Sequence, residues 1–165
     1  MPQPTRRRTS TVAGNKLAGE NFEAVLRSRA GASGYRALKN ELAFRWGAGG
    51  RIIPVRADLD FRILGPDGRV AFVDCKRVAS TYFLPSRMDK HQVARAMVYN
   101  SFGVPAGFVV LFSQCELVVF FSGEQVGRAA ASSRFTPAQG TLLGRLASFE
   151  LVGVFAQRHG VREPL

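Results

Sequence analysis

The chain has 165 residues, of which 46% are hydrophobic and 13 are phenylalanine, so it can bury the core of a single compact domain and is not globally disordered. Its longest apolar run, residues 105–112, is too short to cross a bilayer, and no apolar stretch follows the basic N-terminus, so we expect neither a membrane span nor a secretory leader. Cys75 and Cys115 are too few for a disulfide framework or a zinc site, which predicts a reducing, cytoplasmic setting.

The formal net charge of +11 predicts an anionic partner, because self-repulsion of this size gives a domain no advantage by itself. Nucleic acid is the most common such partner. Residues 1–13 carry Arg6, Arg7 and Arg8 among prolines and hydroxyl side chains, without apolar periodicity. This segment is expected to be a disordered, DNA-binding basic arm, and residues 14–165 a single domain.

Apolar spacing and turn residues predict the elements in chain order. A helix covers residues 15–29, residues 35–46 are ambiguous between helix and strand, and residues 47–50 form a turn. The later predicted elements are strands 51–55, 58–64 and 69–76, helix 88–102, strands 106–112 and 116–121, a short helix 124–131, helix 137–146 and strand 150–155. This order predicts an α/β fold with a mixed central β-sheet flanked by helices.

The strands at 58–64 and 69–76 are joined by Gly-Pro-Asp-Gly, which is strong turn chemistry and predicts a hairpin. Strand side chains alternate between faces, so Asp74 and Lys76 share one face while Cys75 points into the core. The hairpin returns Asp60 beside Asp74. Asp58, two residues earlier on the same predicted face, is the alternative partner.

Two adjacent carboxylates are costly unless a cation lies between them. Mg²⁺ suits such a pair, because it takes one or two carboxylates and completes its shell with water and phosphate oxygens; Mn²⁺ is the expected substitute. Lys76 is placed to orient a water or to stabilise charge on a phosphate. The pattern Asp, turn, Asp-x-Lys therefore predicts metal-dependent phosphodiester hydrolysis.

Four segments between residues 19 and 112 together resemble the PD-(D/E)xK nuclease superfamily, and within it the RecU-type Holliday junction resolvases. Gly19 and Glu23 resemble the Gly-x-x-x-Glu of the first helix, Asp60-Phe61 the start of the first catalytic strand, and Asp74-Cys75-Lys76 the acidic-x-Lys strand. The last match is Phe83-Leu84 followed by His91-Gln92.

The resemblance implies a restriction-endonuclease-like nuclease core in a homodimer that nicks four-way DNA junctions symmetrically with Mg²⁺. Carried over residue by residue, it implies that Asp60, Asp74 and Glu23 bind metal, that Lys76 is the catalytic lysine, and that Gln92 supports the site. The sequence departs from the family at Leu59 and Ile63, and the segment between Glu23 and Asp60 is short where the family has a junction-entering stalk.

Arg77 and Arg87, close to the predicted site, are expected to hold the DNA backbone, and His91 to act as a helix cap or a phosphate contact. Two alternatives stay open. One keeps the nuclease core with duplex or flap DNA as substrate, and the other is a basic, non-catalytic nucleic-acid-binding protein whose carboxylates are surface charges.

Overall fold

A six-stranded mixed β-sheet forms the centre of the structure, a computed structural model that describes residues 12–40, 43–46, 48–50, 52–55 and 58–156. The predicted basic arm lies outside these residues, apart from Val12 and Ala13, which begin the first helix. The elements are α1 (Val12–Ala32), β1 (Arg36–Lys39), β2 (Ala43–Trp46), β3 (Ile52–Val55), β4 (Phe61–Leu64), β5 (Val70–Val78), α2 (Lys90–Ser101), β6 (Ala106–Phe112), β7 (Leu117–Ser122), α3 (Gly123–Gly127), β8 (Thr141–Arg145) and α4 (Val152–Phe155).

The strands of the main sheet lie in the order β1-β4-β5-β6-β7-β8, and β2 pairs with β3 in a separate two-stranded sheet. Strands β5 and β6 run parallel, with α2 in the connection between them, while the other described pairs are antiparallel. Strands β4 and β5 form the predicted hairpin, and its turn contains Gly68 at a φ of 81°, a conformation that favours glycine.

Apolar side chains cover both faces of this sheet. On one face, α1 packs against β1 and β5 and α4 packs against β8, and Phe22 and Leu26 of α1 join Phe61 and Val73 in one buried cluster. On the other face lie α2 and α3, with β6 buried at every residue because it is covered from both sides. Strand β5 therefore turns Val73 and Cys75 toward α1, and Asp74 and Lys76 toward α2.

The predicted helix over residues 137–146 is wrong. A single 3₁₀ turn, Pro137–Gln139, is followed by β8, which pairs antiparallel with β7. Gly144 has a φ of 138°, which a helix does not use, and a Cβ there would lie 2.9 Å from the Cα of Phe149. The open edge of β7 supplies hydrogen bonds that local periodicity could not reveal.

The predicted strand over residues 150–155 is also wrong, because α4 occupies Val152–Phe155. Leu151, Val154 and Phe155 are buried at helical spacing in the cluster beneath α1. Other differences concern boundaries: α1 extends three residues beyond both predicted ends, the short helix closes at Gly127, and the ambiguous segment 35–46 contributes β1 and β2.

Candidate active site

The β4–β5 hairpin places Asp60 beside Asp74. Phe61 pairs with Val73, so Asp60, one residue before the strand, lies opposite Asp74, close enough for Asp60 to raise the pKa of Asp74. Asp60 does not lie on a strand as predicted but in the bend immediately before β4.

Asp74 is fully buried on the α2 face of the sheet. Its Oδ1 accepts a hydrogen bond of 2.7 Å from Gln92 Nε2. Its Oδ2 forms an ion pair with Lys76 Nζ at 2.5 Å. One ammonium group beside two neighbouring carboxylates leaves a negative charge that is costly to bury unless a further cation compensates it.

Burial raises the pKa of Asp74 to about 7, and the hydrogen bond to Asp60 acts in the same direction. The ammonium group of Lys76 opposes the shift and does not cancel it. The carboxylate pair of Asp60 and Asp74 therefore tends to hold a proton near neutral pH when no cation compensates it.

Gln92 links the two charged groups of β5. Its Nε2 donates to Asp74, and its Oε1 lies 3.4 Å from Lys76 Nζ, so the amide has one consistent orientation. The residue is in the first turn of α2, which Asp89 caps by accepting hydrogen bonds from the backbone N–H groups of His91 and Gln92. The cap thus fixes the start of the helix over the site.

Asn40 and Leu59 hold Asp60 in place. The Asn40 side chain donates to the carbonyl of Leu59 at 2.6 Å, and its backbone N–H donates to the carbonyl of Asp60 at 2.7 Å. Leu59 is itself fully buried against Ala96 of α2 and Ala106 of β6. The bend that carries Asp60 is therefore fixed from both sides.

Glu23 does not join the two aspartates in a three-carboxylate group. Its Oε2 lies 2.5 Å from Lys39 Nζ, on the α1 side of the sheet. Across the part of the chain that the structure describes, no three His, Cys, Asp or Glu side chains gather closely enough to hold a metal ion.

Asp58, the predicted alternative, is held by α2. Its Oδ1 lies 3.1 Å from Arg95 Nε and 3.6 Å from His91 Nε2, and its Oδ2 accepts a hydrogen bond of 3.2 Å from Tyr99. We call Asp58, His91, Arg95 and Tyr99 the Asp58 network. His91 was expected to be a cap or a phosphate contact, but Asp89 is the cap and the His91 side chain faces Asp58.

The residues expected to bind DNA are placed as follows. Arg77 on β5 and Arg87 in the Pro85–Arg87 turn are exposed, whereas Arg6, Arg7 and Arg8 lie outside the described residues. Cys75 packs against the α1-side core as predicted, and burial raises the pKa of its thiol, so it is not a reactive nucleophile.

Sequence reasoning missed Lys39 and Asn40. Both belong to the ambiguous segment before the glycine turn, and they reach the site only because β1 pairs with β4, about 20 residues later in the chain. No local sequence pattern predicts the pairing of β1 with β4.

Within the described residues, no helix combines the length and the apolar character needed to span a membrane. The predicted compartment is not tested by this finding.

Comparison with known proteins shows a similarity to solved structures. No protein-family model and no curated protein sequence matches the chain. Among solved structures, it is similar to Hjc of Archaeoglobus fulgidus, described as a Holliday junction resolvase from an archaeal hyperthermophile, with a TM-score of 0.51 and 17% identity over 74% of this chain and 93% of that one. This likeness confirms the predicted fold class, a mixed sheet flanked by helices in the arrangement of a nuclease core. At 17% identity, this similarity supports a conclusion about the fold alone.

Proposed function

We propose that this protein is a metal-dependent DNA endonuclease that cuts four-way junctions. The observation that carries the proposal is Asp74, a fully buried carboxylate that lies opposite the second carboxylate Asp60 and contacts Lys76 and Gln92. A protein keeps such a group where function needs it, since burial of this kind destabilises the fold. The net charge of +11 supports a polyanionic substrate.

The donor set fits Mg²⁺, with Mn²⁺ as a substitute. Asp60 and Asp74 offer hard oxygen ligands, and a divalent cation would compensate the negative charge of the two neighbouring carboxylates. When bound, Mg²⁺ supplies Lewis-acid polarisation of the scissile phosphate and lowers the pKa of a water.

The chain's own residues supply the remaining chemistry. Lys76, anchored by Asp74 and Gln92, presents its ammonium group to the negative charge that develops on the phosphate as water attacks phosphorus. The bond from phosphorus to one sugar oxygen breaks, and the water oxygen becomes part of the new phosphate monoester. The water releases a proton to solvent, and the departing sugar oxygen takes one up to become a hydroxyl group. Gln92 fixes the positions of the Lys76 and Asp74 side chains through its two hydrogen bonds.

The junction substrate is the finer part of the proposal. The sequence resemblance to RecU-type resolvases supports it, and so does the fold likeness to Hjc, which is described as a junction resolvase. A homodimer would bring two such sites to one junction and allow paired nicks. Arg77 and Arg87, together with the basic arm at Arg6, Arg7 and Arg8, are proposed to contact DNA phosphates.

One assay tests the proposal. The wild-type chain and Asp74→Asn are incubated with a synthetic four-way junction and, separately, with a linear duplex containing the same sequences, with Mg²⁺ or EDTA. We expect symmetric nicks in the junction only for the wild type with Mg²⁺, while Asp74→Asn still binds. Equal cutting of the duplex would indicate a general nuclease, and binding without any cutting by the wild type would indicate a non-catalytic DNA-binding protein.

A further inference from the structure

Lys39 forms a second lysine–carboxylate unit beside the Asp60–Asp74 pair. Its Nζ lies 2.5 Å from Glu23 Oε2 and 5.9 Å from the centre of the Phe61 ring, and Phe61 directly follows Asp60. Glu23 raises the pKa of Lys39, and the Asp60 charge adds to the effect. Lys39 is therefore a stable cation at the border of the proposed metal site.

We infer that Lys39 is a substrate-contacting residue that binds a DNA phosphate next to the scissile one, and that Glu23 positions Lys39 and does not bind the metal. The inference rests on the proposed nuclease function and gives Glu23 a role different from the one that the family resemblance implies.

The exposure of the two side chains supports these roles, with Lys39 contacting DNA and Glu23 positioning Lys39. The Glu23 side chain is 18% exposed and that of Lys39 is 51% exposed, so the carboxylate lies inside and the ammonium group faces solvent. A phosphate can reach Lys39 without disturbing the pair. A metal bound through Glu23 Oε2 would first have to displace Lys39 from that oxygen.

The charge balance points the same way. Glu23, Asp60 and Asp74 can carry three negative charges, while Lys39 and Lys76 carry two positive ones. A divalent cation brings the positive charges to four, while the scissile phosphate and its neighbour bring the negative charges to five. If Lys39 were absent, three positive charges would face five negative ones, which disfavours binding of the second phosphate.

The test uses the full chain and three substitutions, Lys39→Met, Glu23→Gln and their combination, with Lys39→Arg as the conservative variant. Arg36→Met is the matched control, because it removes one positive charge from the other, exposed end of β1. Thermal melts verify folding. A synthetic junction is used for binding in Ca²⁺ at several salt concentrations, and for cleavage over a range of Mg²⁺ concentrations.

We expect Lys39→Met to reduce the slope of log affinity against log salt by about one, and cleavage at limiting DNA by about tenfold. Lys39→Arg should keep the slope, and Arg36→Met should change neither quantity. Glu23→Gln should lower cleavage, leave the Mg²⁺ midpoint within about twofold of wild type, and add nothing in the Lys39→Met background.

Two outcomes would overturn the inference. The first is an unchanged salt slope in Lys39→Met. The second is a Mg²⁺ midpoint that Glu23→Gln raises by about tenfold or more in both backgrounds, as loss of a metal ligand would. The binding measurements need no cleavage. A wild type that binds junctions and never cuts them would remove the proposed function, while the slopes still decide the role of Lys39.

Discussion

Asp58 and Asp74 lie on neighbouring segments of the same hairpin region, and both contact side chains from α2, yet their environments are opposite. Asp58 is partly exposed, and both of its oxygens have partners in the Asp58 network. Asp74 is fully buried, with the Lys76 ammonium group 2.5 Å from its Oδ2 and the carboxyl group of Asp60 opposite it. The first carboxylate is surrounded by donors and cations, whereas the second is buried beside a group of like charge.

This difference explains why two aspartates so close in sequence take different roles. The network ties the segment before β4 to α2, so Asp58 contributes to positioning Asp60. The Asp60–Asp74 pair is then held in position, with Lys76 as the ion-pair partner of Asp74. The Asp58 network next to the pair gives a rigid scaffold around the proposed metal site.

The largest expected effect concerns the Asp60–Asp74 site. Lys76→Ala should lower Mg²⁺-dependent junction cleavage by about a hundred- to a thousandfold, because it removes the ammonium group from the reacting phosphate. The chain should remain folded, since Lys76 is partly exposed and contributes little packing. Single-turnover cleavage and a thermal melt measure the two properties.

Arg95→Ala is the matched control for Lys76→Ala, because it removes a cation from the partner set of the other aspartate. It should keep most of the cleavage activity. Unfolding of the Lys76→Ala chain where the wild type is stable would show that Lys76 supports the fold and not the chemistry.

The second prediction compares the free energy of unfolding of the wild type with that of Asp74→Asn. Without metal, Asp74→Asn should stabilise the protein by on the order of 2 kcal/mol at pH 8, because an amide carries no charge to bury. The folded pKa of about 7 lies above the value of roughly 3.9 for an unfolded Asp. Between these values the folded state keeps a proton that the unfolded chain releases, so wild-type stability falls as pH rises.

The gain from Asp74→Asn should therefore be small at pH 4, where the folded carboxyl group is protonated and the unfolded one is about half protonated. Urea unfolding in EDTA at pH 4, 6 and 8 measures it. Saturating Mg²⁺ should stabilise the wild type and not the variant. A substitution that destabilises the protein equally at all three pH values would contradict the assigned cost of burying Asp74.

How much of the site could be foreseen depends on sequence distance. Asp60, Asp74 and Lys76 belong to one hairpin, where a turn sequence and two-residue alternation determine which side chains meet. The faces of β5 could therefore be predicted from the residues alone. Gln92, 16 residues beyond Lys76, was expected only from the family resemblance, and its two bonds to the site emerge only in three dimensions.

Longer-range features could not be predicted. Lys39 and Asn40 reach the site through β1 pairing with β4, and β8 forms because β7 offers an open edge. The segment 137–146 has apolar residues at spacings that also fit a helix, and strand pairing overrides that preference. Leu151, Val154 and Phe155 show the converse, a β-like composition that buries a helical face.

The third prediction weakens the attachment of Asp60 without touching its carboxylate. Asn40→Ala removes the side-chain bond to the Leu59 carbonyl and leaves that group without its donor. We expect about tenfold slower cleavage at low Mg²⁺, with most of the loss recovered at high Mg²⁺, because a displaced ligand binds metal more weakly. Cleavage against Mg²⁺ concentration measures the shift, and equal loss at every concentration would argue against a positioning role.

The smallest effect is expected at the Asp58 network. Asp58→Asn keeps the shape of the side chain and an acceptor for Tyr99, while it removes the charge that faces Arg95 and His91. Because the group is partly exposed, its ion pairs contribute about 1 kcal/mol or less, and cleavage should change by no more than about threefold. Unlike Asp74→Asn, this substitution should never stabilise the chain between pH 5 and 8. If Asp58→Asn instead abolished Mg²⁺-dependent cleavage while Asp74→Asn did not, the two aspartates would have exchanged roles, and the metal would belong with Asp58.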